Sequence, residues 1–144
     1  MIDAAASALP TDLIQAYRAA HYRVLTAPPL LLRIDRPDPA LASLLSAHGA
    51  NRAALLTASN PASALLSDGD NALRHTHLLD ALARRKLRAL PACNESPKGD
   101  WPNEASVLVL HADIELGTEL AMAFGQNAFV AITNDATPRL VLLR

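Results

Sequence analysis

The sequence predicts a single compact domain of the α/β (α+β) class, with about four helices on a mixed sheet of about five or six strands, closed by a C-terminal β-hairpin. Three observations carry this. Segments with apolar residues at helical spacing alternate with short apolar runs of strand length along most of the chain, which is the pattern of layered helix-and-sheet domains. The length of 144 residues is a common size for one domain and too short for two independent cores. The last two apolar runs, Ala128 to Thr133 and Arg139 to Leu143, are separated only by Asn134-Asp135-Ala136-Thr137. They form a hairpin, so the sheet holds at least one antiparallel pair.

Taken in order, residues 1–9 are expected to form a flexible N-terminal tail. Thr11-Asp12 starts a first helix, with Leu13, Ile14, Tyr17 and Ala20 at helical spacing until the pattern fails near Tyr22. Pro28 and Pro29 precede Leu30 to Ile34, a strand; Tyr22 to Leu25 is also of strand type. The next helix has clear punctuation: Asp38 as cap, Pro39 at the first helical position, Leu41, Leu44 and Leu45 on one face, and Gly49 as stop. Arg52 to Ala58 is a strand that leaves the sheet at the polar turn Ser59-Asn60-Pro61. Asp68 to Lys86 is the longest helix, with acidic residues in its first turn and Arg84, Arg85 and Lys86 in its last, as the helix dipole favours. A short strand over Arg88 to Pro91 precedes a long loop over Asn94 to Asn103. The strand Ser106 to Leu110, the helix Glu115 to Phe124 stopped by Gly125, and the terminal hairpin complete the chain.

Composition excludes several classes of function. Apolar residues make up 51% of the chain and charged residues 19%, so the chain has the means to fold unaided. A net charge of -1 without long runs of one sign offers no footprint for duplex nucleic acid. Cys93 is the only cysteine, which rules out an internal disulfide and any cysteine-built zinc site and suits a reducing compartment. The N-terminus lacks a signal-peptide pattern and no run approaches membrane-spanning length, so a cytoplasmic protein without membrane partners is expected. No metal or cofactor is expected. His75 and His77 stand two apart and diverge on a helix, and the 5 glycines are scattered rather than gathered into a phosphate loop.

Four places carry candidate chemistry. At the Thr57-Ala-Ser-Asn60-Pro61 junction a strand hands over to a helix, the position at which open sheets collect ligands. Thr57 and Asn60 there are candidate binding residues, against the competing reading of a simple Asn-Pro turn. Asn71 shares a helix face with His75, Leu78 and Leu82, so its amide needs a partner, such as the Asn60 loop, or a pocket. Arg74 beside it is either a cation for an anionic ligand or the partner of Asp70 one turn back. Trp101 and Glu104 lead out of the long loop. Together they read either as a stacking wall beside a carboxylate, with Glu104 the best catalytic candidate, or as a core cap with a backbone-bonded carboxylate. Gln126 has no local explanation and either braces a loop or lines a pocket.

These residues in this order (Tyr17 and Tyr22, Thr57-Ala-x-Asn60-Pro61, Asn71 with Arg74 and Leu78, Trp101-x-x-Glu104-x-Ser106, Phe124-Gly-Gln126-x-Ala128) resemble the bacterial family called domain of unknown function 3293. The resemblance implies a small stand-alone protein and no particular activity. The family pattern it brings has an aromatic residue where this chain has Ser59 and a proline where it has Ala105, which argues against a stacking role for the Thr57 loop here.

Two functions are therefore weighed. One is a ligand-binding domain or small enzyme for a polar or nucleotide-like metabolite, in which Asn60, Asn71, Glu104 and Gln126 converge beside Trp101. The other is a non-enzymatic protein-interaction or regulatory module, in which the amides only brace loops and an apolar patch meets a protein partner.

Overall fold

The computed structural model describes residues 2–144. Four helices, α1 (Thr11–Ala19), α2 (Pro39–Ala47), α3 (Asp68–Arg84) and α4 (Ile114–Ala123), accompany seven strands. The strands are β1 (His21–Val24), β2 (Leu30–Leu32), β3 (Ala53–Thr57), β4 (Ala89–Glu95), β5 (Glu104–Leu110), β6 (Ala128–Ile132) and β7 (Pro138–Leu142). They form one sheet in the order β2-β1-β4-β5-β3-β6-β7.

Two features of the sheet correct the sequence reading. It has seven strands rather than five or six, and every paired neighbour is antiparallel, so the sheet is not mixed. The reason lies in the crossovers. Helix α3 joins β3 to β4, and α4 joins β5 to β6, but each connection steps over one strand: β5 lies between β3 and β4, and β3 lies between β5 and β6. Strands joined by a helix thus run the same way without being neighbours, a split βαβ arrangement. Local pattern shows that a helix links two strands, but not that a third will be inserted between them. The extra strand length comes from β1 and from Asn94 and Glu95, which continue β4 into what reads as loop.

The helices form where their caps allow. Asp38 Oδ1 accepts from the backbone N–H of Ala40 (2.9 Å) and Leu41 (3.3 Å) at the start of α2. Ser67 Oγ accepts from Asp70 N–H (3.1 Å) at α3, and Asp113 Oδ1 from Leu116 N–H (2.8 Å) at α4. Each satisfies a donor that the first turn leaves without an intrahelical partner.

Strand β3 is buried along its whole length and divides the core. Ala53 and Leu55 face a cluster with Leu108, Leu110, Val130 and Ile132 that α2 covers through Leu41 and Leu45. Ala54 and Leu56 face the other side, where Val107, Val109 and Phe129 pack under Leu78 and Leu82 of α3 and Leu120 and Ala121 of α4. Gly117 of α4 permits that packing: a Cβ there would lie 2.4 Å from the Phe129 ring. Along residues 2–9, read from sequence as a tail, Ile2 bridges to Leu142 and the Ser7 hydroxyl donates to the Arg144 carbonyl; Met1 lies outside the described residues. Among the described residues no helix is long and apolar enough to cross a membrane.

Candidate functional site

Strand alternation carries the α2-facing side of the sheet beyond the end that α2 covers. Following Leu90 and Ala92 along β4, the next residue on this face is Asn94; preceding Leu108 on β5 are Ser106 and Glu104; following Leu55 on β3 is Thr57. The register sets Tyr22 opposite Asn94 and Asn94 opposite Glu104, so these three side chains form a row across β1, β4 and β5. The chain thus turns from apolar to polar along one face. Over this polar end lies α1, and between helix and sheet is a cavity of about 230 Å³. Leu13, Ala16 and Tyr17 of α1, with Ala20 just past its end, form one side, and Trp101 and Asp100 of the β4–β5 loop contribute a wall.

Asn60 organises the rim. It is buried and adopts the left-handed conformation (φ 48°), as do Ala62 and Ser63 in the same short turn. Asparagine tolerates that conformation better than most residues. Its Oδ1 accepts from Leu66 N–H (2.9 Å) and Asn71 Nδ2 (2.8 Å), while its backbone N–H donates to Asn71 Oδ1 (2.9 Å). Its Nδ2 donates to Glu104 Oε2 (2.8 Å). One side chain therefore links the end of β3, the start of α3 and the first residue of β5. Gly125, in the left-handed region (φ 70°), backs this turn: its carbonyl accepts from Ala62 N–H (2.9 Å), and a Cβ on it would approach Pro61 Cβ to 3.1 Å.

Glu104 is the carboxylate of the site. Oε2 accepts from both Asn60 Nδ2 and Trp101 Nε1 (3.1 Å), whereas Oε1 has no hydrogen-bond partner among the described residues. Burial raises the pKa of this carboxyl above the ordinary range; the bonds from Asn60 and Trp101 oppose the rise without cancelling it. The tryptophan thus fixes one oxygen and leaves the other to the cavity that Glu104 lines. Asn94 Oδ1, on the adjacent strand, is buried with no partner, and so is the Ser106 hydroxyl two residues deeper on β5. Tyr22 donates its hydroxyl to the Tyr17 carbonyl, and burial, reinforced by Tyr17 and Glu104, pushes its pKa upward. Tyr17, on α1, shares a hydrogen bond with the Ser63 hydroxyl (2.7 Å), and Asn127 Nδ2 donates to Tyr17 Oη (3.1 Å). Through these contacts α1 is tied to the turn and to the start of β6.

The residues singled out from sequence meet in one region but divide in role. Asn60, Trp101, Glu104, Thr57 and Gln126 line the cavity. Thr57 spends its hydroxyl on the Ala105 carbonyl (2.7 Å) and the Ser59 N–H (3.0 Å), and Gln126 donates to the carbonyls of Ser59 (3.1 Å) and Phe124 (3.3 Å), so both also brace backbone. Asn71 stands behind Asn60 and does not line the cavity. Arg74 pairs with neither Asp70 nor the cavity: its Nε donates to the Ala58 carbonyl (2.6 Å) and its Nη2 to the Phe124 carbonyl. Sequence reasoning missed Asn94, Ser63 and Asn127. Asn94 was the recoverable one, since the alternation Leu90, Ala92, Asn94 continues unbroken on one face.

Among the described residues, the cavity lining holds three carboxylates, Glu95, Asp100 and Glu104, and no Lys, Arg or His. Glu95 is paired with Arg23 (3.0 Å), and Asp100 is held below the usual carboxylate range chiefly by the Ser96 hydroxyl. No three metal-ligating side chains come together as a group among the described residues.

The profile of the family described as Protein of unknown function (DUF3293) matches residues 56–129. The chain belongs to this family. The matched segment begins in β3 and ends in β6, and so contains Asn60, Asn71, Arg74, Asn94, Trp101, Glu104 and Gln126. Tyr17 and Tyr22 lie outside it, so the family segment supplies the Asn60–Glu104 cluster and the preceding residues supply α1. No curated protein and no solved structure matches the chain.

Proposed function

We propose that this domain binds a small polar molecule in the cavity beneath α1 and that Glu104 anchors it. The observation that carries this reading is the state of the Glu104 carboxylate. It is largely buried, one oxygen is held by Asn60 and Trp101, and the other faces a cavity with no partner from the chain. Partial burial of a carboxylate is costly and is ordinarily offset by complete pairing. A polar ligand would complete it. A carboxyl with a raised pKa is also suited to exchange a proton, so Glu104 is the catalytic candidate where a reaction accompanies binding.

A thermal-shift screen of polar metabolites tests the reading. A ligand present at about 100 times its Kd stabilises the fold by roughly 2.7 kcal/mol, or about 5–10 °C for a chain of this size. The expected result is at least one compound that raises the melting temperature of the wild type and has a smaller effect on Glu104→Gln. A library that shifts neither protein, or hits that act equally on both, would overturn it.

A second reading, a protein-interaction module, draws on the exposed Leu73 and Leu79 of α3 and Met122 of α4. Light scattering after size exclusion tests its simplest form, self-association. Concentration-dependent dimers that Leu73→Ser abolishes would favour it, and a monomer throughout would count against that form.

A further inference from the structure

The proposed ligand site can be read for charge. One acceptor is open at the cavity: Glu104 Oε1 has no partner from the chain, whereas Asn94 Oδ1 on the adjacent strand, also without a partner, is shut off by burial. Around Glu104 the lining carries only negative formal charge. A phosphate or carboxylate would meet Glu104 and Asp100 there, Glu95 being paired with Arg23, while no Lys, Arg or His lines the cavity among the described residues and Arg74 is spent on two backbone carbonyls. Tyr17, Tyr22 and Trp101 add aromatic surface to the same cavity, a setting that favours cations over anions. The carboxylates do not gather into a metal-ligating group among the described residues, which points away from a metal ion and toward an organic cation.

We infer that the ligand presents a nitrogen cation with N–H donors, such as an amidinium, guanidinium or primary ammonium, to Glu104. This rests on the cavity being a ligand site. It narrows that site to cationic molecules and excludes phosphorylated ones.

Three isosteric probes separate the classes: benzamidine as cation, benzamide as neutral amide and benzoate as anion. The chain has one tryptophan, so the Trp101 indole N–H gives a single NMR resonance that reports on the bond to Glu104 during each titration. Benzamidine is expected to move it saturably with an affinity about ten-fold or more above that of benzamide, the equivalent of roughly 1.4 kcal/mol, with benzoate weakest. In Glu104→Gln the advantage of benzamidine should vanish. Benzoate binding as well as benzamidine would overturn the cation assignment while leaving a ligand-binding cavity in place. A resonance unmoved by all three would overturn the assignment too, with the metabolite screen deciding separately on the cavity. The wild-type ranking needs no variant, so a variant that fails to fold does not protect the inference.

Discussion

Replacing Asn60 by alanine removes the side chain on which the rim of the cavity depends, and its cost follows from its bonds. The Leu66 N–H and Asn71 Nδ2 each lose their acceptor, and Glu104 Oε2 loses one of two donors. A donor left unpaired costs about 1–3 kcal/mol when buried; because Leu66 and Asn71 are partly exposed, the lower end applies to each. Alanine in the left-handed conformation at this position adds roughly 1–2 kcal/mol. The sum is about 3–5 kcal/mol against a typical total of 5–15 kcal/mol, and corresponds to a fall of about 6–20 °C in melting temperature. Urea unfolding followed by circular dichroism measures it. Asn60→Gly, which loses the same bonds but not the backbone freedom, should be about 1 kcal/mol more stable than Asn60→Ala. An Asn60→Ala variant within about 1 kcal/mol of wild type would refute the role given to this side chain.

Three further outcomes are expected. Burial raises the Glu104 carboxyl in the folded state, so its contribution to stability is present below the unfolded carboxyl range and is lost as pH rises through the folded value; melting curves from about pH 4 to pH 8 should show wild type losing ground to Glu104→Gln as pH rises, and an advantage moving the other way would contradict the burial. Gly117→Ala forces a Cβ to within 2.4 Å of the buried Phe129 ring and should cost about 1–3 kcal/mol through overpacking, which chemical denaturation would register; an unchanged midpoint would mean that α4 and β6 are free to move apart. Arg74→Met removes two charge-assisted bonds to the carbonyls of Ala58 and Phe124 and should cost roughly 2–4 kcal/mol; if it instead left stability intact and altered the charge preference for ligands, Arg74 would belong to the site after all.

Much of the fold was legible wherever a local rule applied. The Asp38-Pro39 cap and Gly49 stop bracket α2, the charges at the two ends of α3 mark its direction, and the four residues after Thr133 give the β6–β7 hairpin. Strand order was not legible, because the insertion of β5 between β3 and β4 is decided by long-range packing and leaves the same local alternation as a plain parallel pair. Asn94 and Glu95 read as loop because polar residues at a strand end resemble a turn until the facing strand is known. The clustering of Asn60, Asn71, Trp101, Glu104 and Gln126 was foreshadowed by their lack of local partners. Their division into cavity lining and support depends on contacts between residues up to 67 positions apart, as for Gln126 and Ser59. Arg74 illustrates the limit: its spacing from Asp70 allows an ion pair, yet two carbonyls brought to it by the ends of β3 and α4 take its donors instead.

That the cavity beneath α1 holds a ligand is tested most directly by filling it. Ala128 stands at the start of β6 and lines the cavity, so Ala128→Leu places apolar bulk there without touching Asn60, Trp101 or Glu104. Isothermal titration of the strongest compound from the metabolite screen into both proteins should give saturable one-to-one binding to wild type and none to a folded Ala128→Leu. Equal binding to the two proteins would place the ligand elsewhere and contradict the assignment of the cavity.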